Sequence, residues 1–170
     1  QQHTEAHLER NPMRQVPTLR VEDEGPGEPF DLSQSVAIME FLEELEPEPS
    51  IFPQGPRARA KARQLAEIIN AGTQPLQNLA VLQHLRALDQ DARAFGRHFI
   101  EVGLRGYQAS LPADRGAFSV GEEPCVADFC LIPQLYNARR FELDLTPFEE
   151  LLAIEQACQA LEPFERAHPD

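Results

Sequence analysis

Two short stretches of the chain carry groups suited to binding a small carboxylate ligand. Arg139 and Arg140 are adjacent, and the planar guanidinium of arginine can bind a carboxylate through two parallel hydrogen bonds. Gln34 and Ser35 precede an apolar run with helical spacing, and the unpaired N–H groups at the start of a helix favour an anion. These residues are compatible with an acidic small molecule as ligand. The local alternatives are solvated arginines and a serine that only caps its helix.

Charge and composition limit the remaining chemistry. The formal net charge of -13 would repel nucleic acid and anionic membranes, and no apolar run reaches the roughly 18 residues that span a bilayer. Cys125, Cys130 and Cys158 lack metal-finger spacing, which predicts reduced, buried thiols and a cytoplasmic protein. His3 and His7 are spaced as helical metal ligands could be, but no third ligand accompanies them. We therefore expect no metal, no nucleic acid partner and no membrane segment.

The start of the chain predicts a small α/β arrangement. Thr4 can cap a short helix that ends before Pro12, because the residue before a proline disfavours helical geometry. β-Favouring residues at 16–21 and 29–32 flank the turn sequence at 23–27, which predicts a β-hairpin.

A helix should follow the hairpin, with Asp31 or Ser33 as its cap. Its apolar residues recur at helical spacing and are Ile38, Phe41, Leu42 and Leu45. Prolines then interrupt residues 46–56, which predicts an extended connector.

From residue 57 onward the pattern predicts helices only. The apolar positions with helical spacing are Ala62, Leu65, Ala66 and Ile69, then Leu76, Leu79, Leu82 and Leu85, then Phe95, Phe99 and Val102. Pro75 should split or kink the helical run. Residues 126–141 are apolar enough for a central buried helix, and Thr146-Pro147 suggests the start of a last helix through Leu161.

Several segments resemble the zeta class of glutathione transferases in order and spacing. They are Asn11-Pro-Met-Arg-Gln-Val-Pro-Thr-Leu19, Ser33-Gln-Ser-Val-Ala-Ile38, Gln74-Pro-Leu-Gln-Asn-Leu-Ala-Val81, Ala127-Asp128 with its apolar run, and Tyr136-Asn-Ala-Arg-Arg-Phe141. The resemblance implies an α/β plus all-α fold: the C-terminal part of a thioredoxin-like domain at 1–46, a linker at 47–56, and a glutathione transferase-type helical domain at 57–170. It also implies a homodimer.

Glutathione is the cofactor that the resemblance implies. The Val16-Pro17 bond would be cis and would expose the N–H and C=O of Val16 to the cysteinyl part of glutathione, as in strand addition. Gln34 and Ser35 would bind its γ-glutamyl end, and Gln2 would be a further contact. The local alternative is an ordinary strand after a trans proline.

The resemblance also assigns roles in the helical domain. Gln74, Asn78 and Leu79 match positions that close the cleft around glutathione, although a polar pair beside a proline kink is the simpler local interpretation. Arg140 matches the arginine that contacts an acidic substrate. Asp128 matches the aspartate of a structural capping box.

Cys125 replaces the usual serine or threonine of that capping box. Sulfur is a poor acceptor, so one of the two reciprocal bonds should be weak. Truncating Asp128 should still cost on the order of 1 kcal/mol or more.

The implied activity is glutathione-dependent cis–trans isomerisation of maleylacetoacetate to fumarylacetoacetate, a step in tyrosine and phenylalanine breakdown. In this class a serine in an S-S-x-S/C-x-R-V-R type motif stabilises the glutathione thiolate. That motif is not among these residues, so we expect an upstream segment to carry it and this segment alone to be poorly active. The alternatives are maleylpyruvate isomerisation, a zeta-class activity on α-haloacids, and a non-catalytic interaction module.

Overall fold

A computed structural model of the chain describes residues 4–22 and 28–169. The chain divides into two compact units, unit 1 at Gln1–Ile51 and unit 2 at Phe52–Asp170. The division falls inside the stretch of prolines at 46–56. Gln2, His3 and the turn expected at 23–27 lie outside the described residues.

Unit 1 is built from short elements. Their bounds are Glu5–Arg10 (α1), Thr18–Val21 (β1), Phe30–Ser33 (β2) and Ser35–Leu45 (α2). Helix α1 begins where the Thr4 hydroxyl accepts a hydrogen bond from the His7 N–H at 3.3 Å. Strands β1 and β2 are antiparallel, with Thr18 opposite Ser33. The predicted pairing of two strands is therefore confirmed.

The cap predicted for α2 is wrong. Asp31 lies inside β2, where its Oδ2 accepts a hydrogen bond from Arg20 at 2.9 Å, and Ser33 is the last residue of that strand. Gln34 occupies the N-cap position instead, and its side chain makes no cap hydrogen bond. The strand turns into the helix within one residue, so Gln34 takes a φ of 76°, a value that non-glycine residues rarely adopt.

Unit 2 is helical. Its elements are Pro56–Asn70 (α3), a 3₁₀ turn at Gln74–Gln77, Leu79–Ala87 (α4), Ala92–Ala109 (α5), Val126–Arg140 (α6), Glu149–Gln159 (α7) and Glu162–Arg166 (α8). Helix α3 begins at Pro56 because the fixed φ of proline suits a first helical position. Among the residues that the structure describes, no helix is long and apolar enough to cross a membrane.

Helix α6 lies at the centre of unit 2, as predicted, and packs against α3, α5 and α7. The fully buried apolar side chains include Leu65, Ile100, Leu104, Leu131, Leu135, Leu151 and Ile154. The predicted stripe on α3 is confirmed, since Ala62, Leu65, Ala66 and Ile69 are all buried.

Asp128 ties the start of α6 to the preceding loop. Its side chain is fully buried, and its Oδ2 accepts the predicted capping bond from the Cys125 N–H at 2.9 Å. Its Oδ1 also accepts a bond from the Ser119 N–H at 2.9 Å. The Ser119 hydroxyl lies 2.8 Å from the Tyr107 hydroxyl, so a buried polar network joins the loop to α5 and α6.

Two other helix predictions need correction. The 3₁₀ turn ends at Gln77 and a new helix begins at Leu79, on which Leu79 is 45% exposed and Leu82 is buried. Leu76 and Leu79 are therefore not on one helix. The predicted split at Pro75 is confirmed, since that residue lies within the 3₁₀ turn.

The predicted start of the last helix is also wrong. The N–H and the hydroxyl of Thr146 both donate to the Asp144 carboxylate, at 2.9 Å each. This local turn holds Thr146 outside the helix, which begins at Glu149. The helix ends at Gln159, before Leu161, and the short helix α8 follows.

Candidate functional site

The segment before β1 presents its main chain to solvent in unit 1. The Val16-Pro17 peptide bond is cis, as the resemblance to the zeta class implied. Val16 is 66% exposed, and its N–H and C=O have no hydrogen-bond partner within residues 4–22 and 28–169. A donor and an acceptor of the main chain are therefore both available to an extended peptide.

Asn11 holds this segment in place. Its side chain is 1% exposed, and its Nδ2 donates to the Gln15 carbonyl at 2.7 Å and to the Thr18 hydroxyl at 3.3 Å. Its Oδ1 accepts a bond from the Met13 N–H at 3.1 Å. From the sequence, Asn11 was expected only to end α1 before Pro12 and to open the segment at 11–19 that resembles the zeta class. Asparagine's ability to bond nearby main-chain groups was the available signal.

The start of α2 is open to solvent. Gln34 and Ser35 are exposed, and the side chain of Gln34, the N-cap residue, makes no cap hydrogen bond. The N–H groups of Ser35, Val36 and Ala37 precede the first helical bond, which runs from the Ile38 N–H to the Gln34 carbonyl at 3.0 Å. Open N–H groups at a helix start favour a carboxylate. The positive φ of Gln34 agrees, because such strain concentrates at ligand sites.

The register of the hairpin brings these two features to one end of the sheet. Thr18 is paired with Ser33. Val16 lies two residues before Thr18, and Gln34 follows Ser33 directly. Unit 1 therefore presents a main-chain donor and acceptor at the same sheet end as the start of α2. This arrangement can hold a short peptide that carries a free carboxylate.

The candidate residues in and just after the 3₁₀ turn of unit 2 are solvent-accessible. Gln74 is exposed at the start of the turn, and Leu79 is exposed just after it. Asn78 caps α4, since its Oδ1 accepts a hydrogen bond from the Ala80 N–H at 3.0 Å. Cap formation leaves the Nδ2 group of Asn78 for another partner.

The two adjacent arginines differ in their contacts. Arg139 donates to both carboxylate oxygens of Glu155 at 2.6 Å, and this bond raises the pKa of its guanidinium. The side chain of Glu155 is only 7% exposed. The guanidinium of Arg140 is exposed at the end of α6 and forms no ion pair with any described residue. Arg140 is therefore the one of the two that is available to a ligand.

The thiols of the chain are poor nucleophiles. Burial, the largest cause in each case, raises the pKa of Cys125, Cys130 and Cys158 to about 12. At neutral pH these side chains are therefore almost entirely protonated. They are unreactive in that form, because the thiolate is the reactive species. Any thiolate chemistry at neutral pH would therefore need a thiol other than these.

A cavity of about 830 Å³ opens among α6, α7, α8 and the residues after them. Its apolar lining includes Phe129, Ile132, Tyr136 and Phe164, with Arg139 and Glu155 among its polar residues. None of the described residues predicted to bind glutathione or substrate lines it.

The α/β unit followed by a helical unit is the fold of the glutathione transferases. No protein-family profile matches the chain. The probable maleylacetoacetate isomerase 1 of Drosophila melanogaster is 41% identical over 167 residues, which cover 98% of this chain and 65% of the fly protein. The chain thus spans just under two thirds of that relative's length.

Two solved structures are similar over nearly the whole chain. The maleylacetoacetate isomerase of Anaeromyxobacter dehalogenans, with glutathione bound in its active site, is 49% identical with a TM-score of 0.89, covering 97% of this chain and 76% of that one. A bacterial zeta-class maleylpyruvate isomerase is 36% identical with a TM-score of 0.89, covering 99% and 82%. The chain belongs to the maleylacetoacetate isomerase family, the zeta class of glutathione transferases.

Proposed function

We propose that this chain takes part in the glutathione-dependent cis–trans isomerisation of maleylacetoacetate to fumarylacetoacetate. The observation that carries the proposal is its 49% identity, over 97% of its length, to a maleylacetoacetate isomerase whose active site holds glutathione. The exposed main chain at Val16 and the open start of α2 add support from the chain itself.

Glutathione is a tripeptide with free carboxylates, and unit 1 offers groups that suit it. The Val16 N–H and C=O would pair with its cysteinyl part. Gln34 and Ser35 would hold the γ-glutamyl carboxylate at the start of α2. Gln2 would add a contact. Bound glutathione would supply the thiolate that adds to the substrate double bond, which the buried cysteines of the chain are unsuited to do.

In unit 2 the corresponding proposal concerns Gln74, Asn78 and Leu79 for glutathione and Arg140 for the substrate. The substrate carries carboxylates, and the chain as a whole has a formal net charge of -13. An exposed guanidinium without an ion pair to a described residue provides the local positive charge that attracts and orients such an acid.

The working assembly and setting are also proposals. We infer a homodimer in the cytoplasm, acting in tyrosine and phenylalanine breakdown. Reduced cysteines support the compartment, because Cys125, Cys130 and Cys158 are unpaired thiols.

Maleylpyruvate isomerisation is a second candidate. The zeta-class maleylpyruvate isomerase that matches 99% of the chain favours it. The two substrates share a cis double bond conjugated to a carbonyl and a carboxylate. A comparison of kcat/KM for the two acids with one preparation would separate these functions.

The experiment is a glutathione-dependent assay on the complete gene product that contains this chain. We expect turnover of maleylacetoacetate that requires glutathione, and an Arg140→Ala variant with kcat/KM lower by about 10- to 100-fold, the loss of about one charged hydrogen-bonded contact. Arg97→Ala, another exposed arginine, is the matched control and should stay near wild type. If neither maleylacetoacetate nor maleylpyruvate is turned over, the proposed activity is contradicted.

A further inference from the structure

Three side-chain amides form a cluster in unit 2, which we call the amide cluster: Gln77, Gln134 and Asn137. Gln77 and Gln134 bond reciprocally, each Nε2 donating to the Oε1 of the other. The bond from Gln134 to Gln77 is 3.3 Å. Asn137 also donates its Nδ2 to the Oε1 of Gln77, at 2.6 Å. The cluster joins the 3₁₀ turn to α6.

The cluster occupies buried positions. Apolar side chains could fill these positions if a stable core were the only requirement. Gln77 is 7% exposed and Gln134 is 3% exposed. A buried amide gains little over a well-packed apolar side chain, and it is costly when any of its partners is lost. A fully paired buried network does, however, fix the geometry of the elements that it joins. Its presence therefore points to a requirement for an exact spacing between the turn and α6.

The two elements that the cluster joins carry the candidate site residues of unit 2. Gln77 is the last residue of the turn, which begins at Gln74, and Asn78 follows it directly. Asn137 precedes Arg140 by three residues, which is close to one helical turn. Each hydrogen bond of the cluster thus acts within a few residues of a group proposed to contact glutathione or substrate.

Close packing behind the turn supports the same interpretation. The Thr73 hydroxyl donates to the Ile68 carbonyl at 2.8 Å, and Thr73 is fully buried. A Cβ added at Gly103 of α5 would lie 2.0 Å from the Thr73 hydroxyl oxygen. Because the turn is held on this side by the close contact with α5, the amide cluster can set its spacing from α6.

We propose that Gln77, Gln134 and Asn137 are positioning residues for the isomerisation. They keep the glutathione-facing turn and the substrate-facing Arg140 at the spacing that the reaction needs. This inference rests on the proposed function. Reactants held out of line lose rate steeply even when each still binds, so loss of the cluster should affect turnover more than glutathione affinity.

The test is the double variant Gln77→Leu/Gln134→Leu in the complete gene product. Both partners are replaced, so neither buried glutamine is left unpaired, and the half-buried Asn137 can turn to water. We expect kcat/KM for maleylacetoacetate to fall by about 10- to 100-fold, while the Kd for glutathione, measured by calorimetry, changes less than about 3-fold. Asn137→Ala, which removes one bond, should lower kcat/KM by about 3- to 10-fold.

Ser119→Ala is the matched control for loss of stability. It breaks a buried hydrogen bond in the same unit, to Tyr107, but lies outside the amide cluster. At a temperature where all variants remain folded, its kcat/KM should equal that of wild type. A structural role alone would make activity follow thermal stability across the three variants.

The outcomes separate the two proposals. A wild-type protein that neither binds glutathione nor isomerises either acid overturns the proposed function, and the positioning role with it. An active wild type with a double variant of unchanged kcat/KM overturns only the positioning role. If the double variant does not fold, an Asn137→Ala variant within 2-fold of wild type leads to the same rejection.

Discussion

The two units hold their candidate binding groups by different means. In the described part of unit 1, Asn11 is the only buried side chain, and it acts through hydrogen bonds to nearby main-chain groups. In unit 2, large apolar side chains fill the interior around α6. The candidate groups follow the same division, since unit 1 offers mostly main-chain donors and acceptors, with the hydroxyl of Ser35 beside them, whereas unit 2 offers the side chains of Gln74, Asn78 and Arg140.

This difference indicates how each kind of site is made reliable. A main-chain site requires a fixed backbone path, which a few polar side chains can define locally. A site made of long side chains on separate helices requires those helices to be held in register, which a packed core and a buried polar network provide. Unit 1 should therefore be sensitive at single polar residues and unit 2 at buried contacts between elements.

The largest effect should come from Asp128→Ala in unit 2. The variant leaves the buried N–H groups of Cys125 and Ser119 without their carboxylate acceptor. We expect the free energy of unfolding to fall by about 3 kcal/mol, because each lost bond involves a charged, buried acceptor. Chemical denaturation monitored by circular dichroism would measure it.

Asp144→Ala is the control for that variant. The Asp144 carboxylate also accepts two hydrogen bonds, from Thr146, but it is exposed, so water can replace them. Its effect on unfolding should be far smaller. Equal losses for the two aspartates would show that burial does not distinguish them.

The next largest effect should come from Gly103→Ala in α5. A Cβ at this position would lie within 3.0 Å of several Thr73 side-chain atoms. Relieving the clash requires the turn to move from α5, and we expect a loss of about 1–3 kcal/mol, as for other overpacked sites. Differential scanning calorimetry would record the fall in Tm.

Gly106→Ala gives the matched comparison on the same helix. Apart from its chain neighbours and the backbone of its own helix, no described residue places an atom within 4 Å of a Cβ built there. Alanine has the higher helix propensity, so this variant should be more stable than wild type by up to about 1 kcal/mol. A stable Gly103→Ala protein would remove the argument that close approach fixes the turn.

A smaller effect on unfolding is expected from Asn11→Ala in unit 1. The change removes the bonds that hold Gln15, Thr18 and Met13. We expect a loss of about 1–2 kcal/mol. Glutathione affinity should fall at the same time, since the path of the main chain at Val16 is no longer defined. Amide hydrogen exchange should show a loss of protection confined to residues 11–18. An equal loss of protection across both units would argue against a separate local role.

The sequence predicted the long elements well because their signals are local. The repeats at Ala62, Leu65, Ala66 and Ile69 indicated α3, and the apolar run after Cys125 indicated α6. Cap positions were harder to predict. Asp31 is a good cap residue by type, but its pairing with Arg20 across the hairpin decides its place.

The candidate site was predictable only in part for a similar reason. Val16, Gln34 and Ser35 belong to motifs that are contiguous in sequence. The hydrogen bonds of Gln77, by contrast, reach residues 57 and 60 positions away. No local pattern distinguishes such a glutamine from a solvated one, so its role could be inferred only from the fold.

The most direct test of the central claim is a calorimetric titration of glutathione into the complete gene product and into Ser35→Ala. The claim is that the tripeptide binds at Val16 and at the open start of α2. We predict binding to wild type, about 10-fold weaker binding to Ser35→Ala from the loss of a bond to a charged group, and unchanged binding to Ser33→Ala, the matched serine in β2. Glutathione that fails to bind wild type, or binds Ser35→Ala equally well, would contradict the claim.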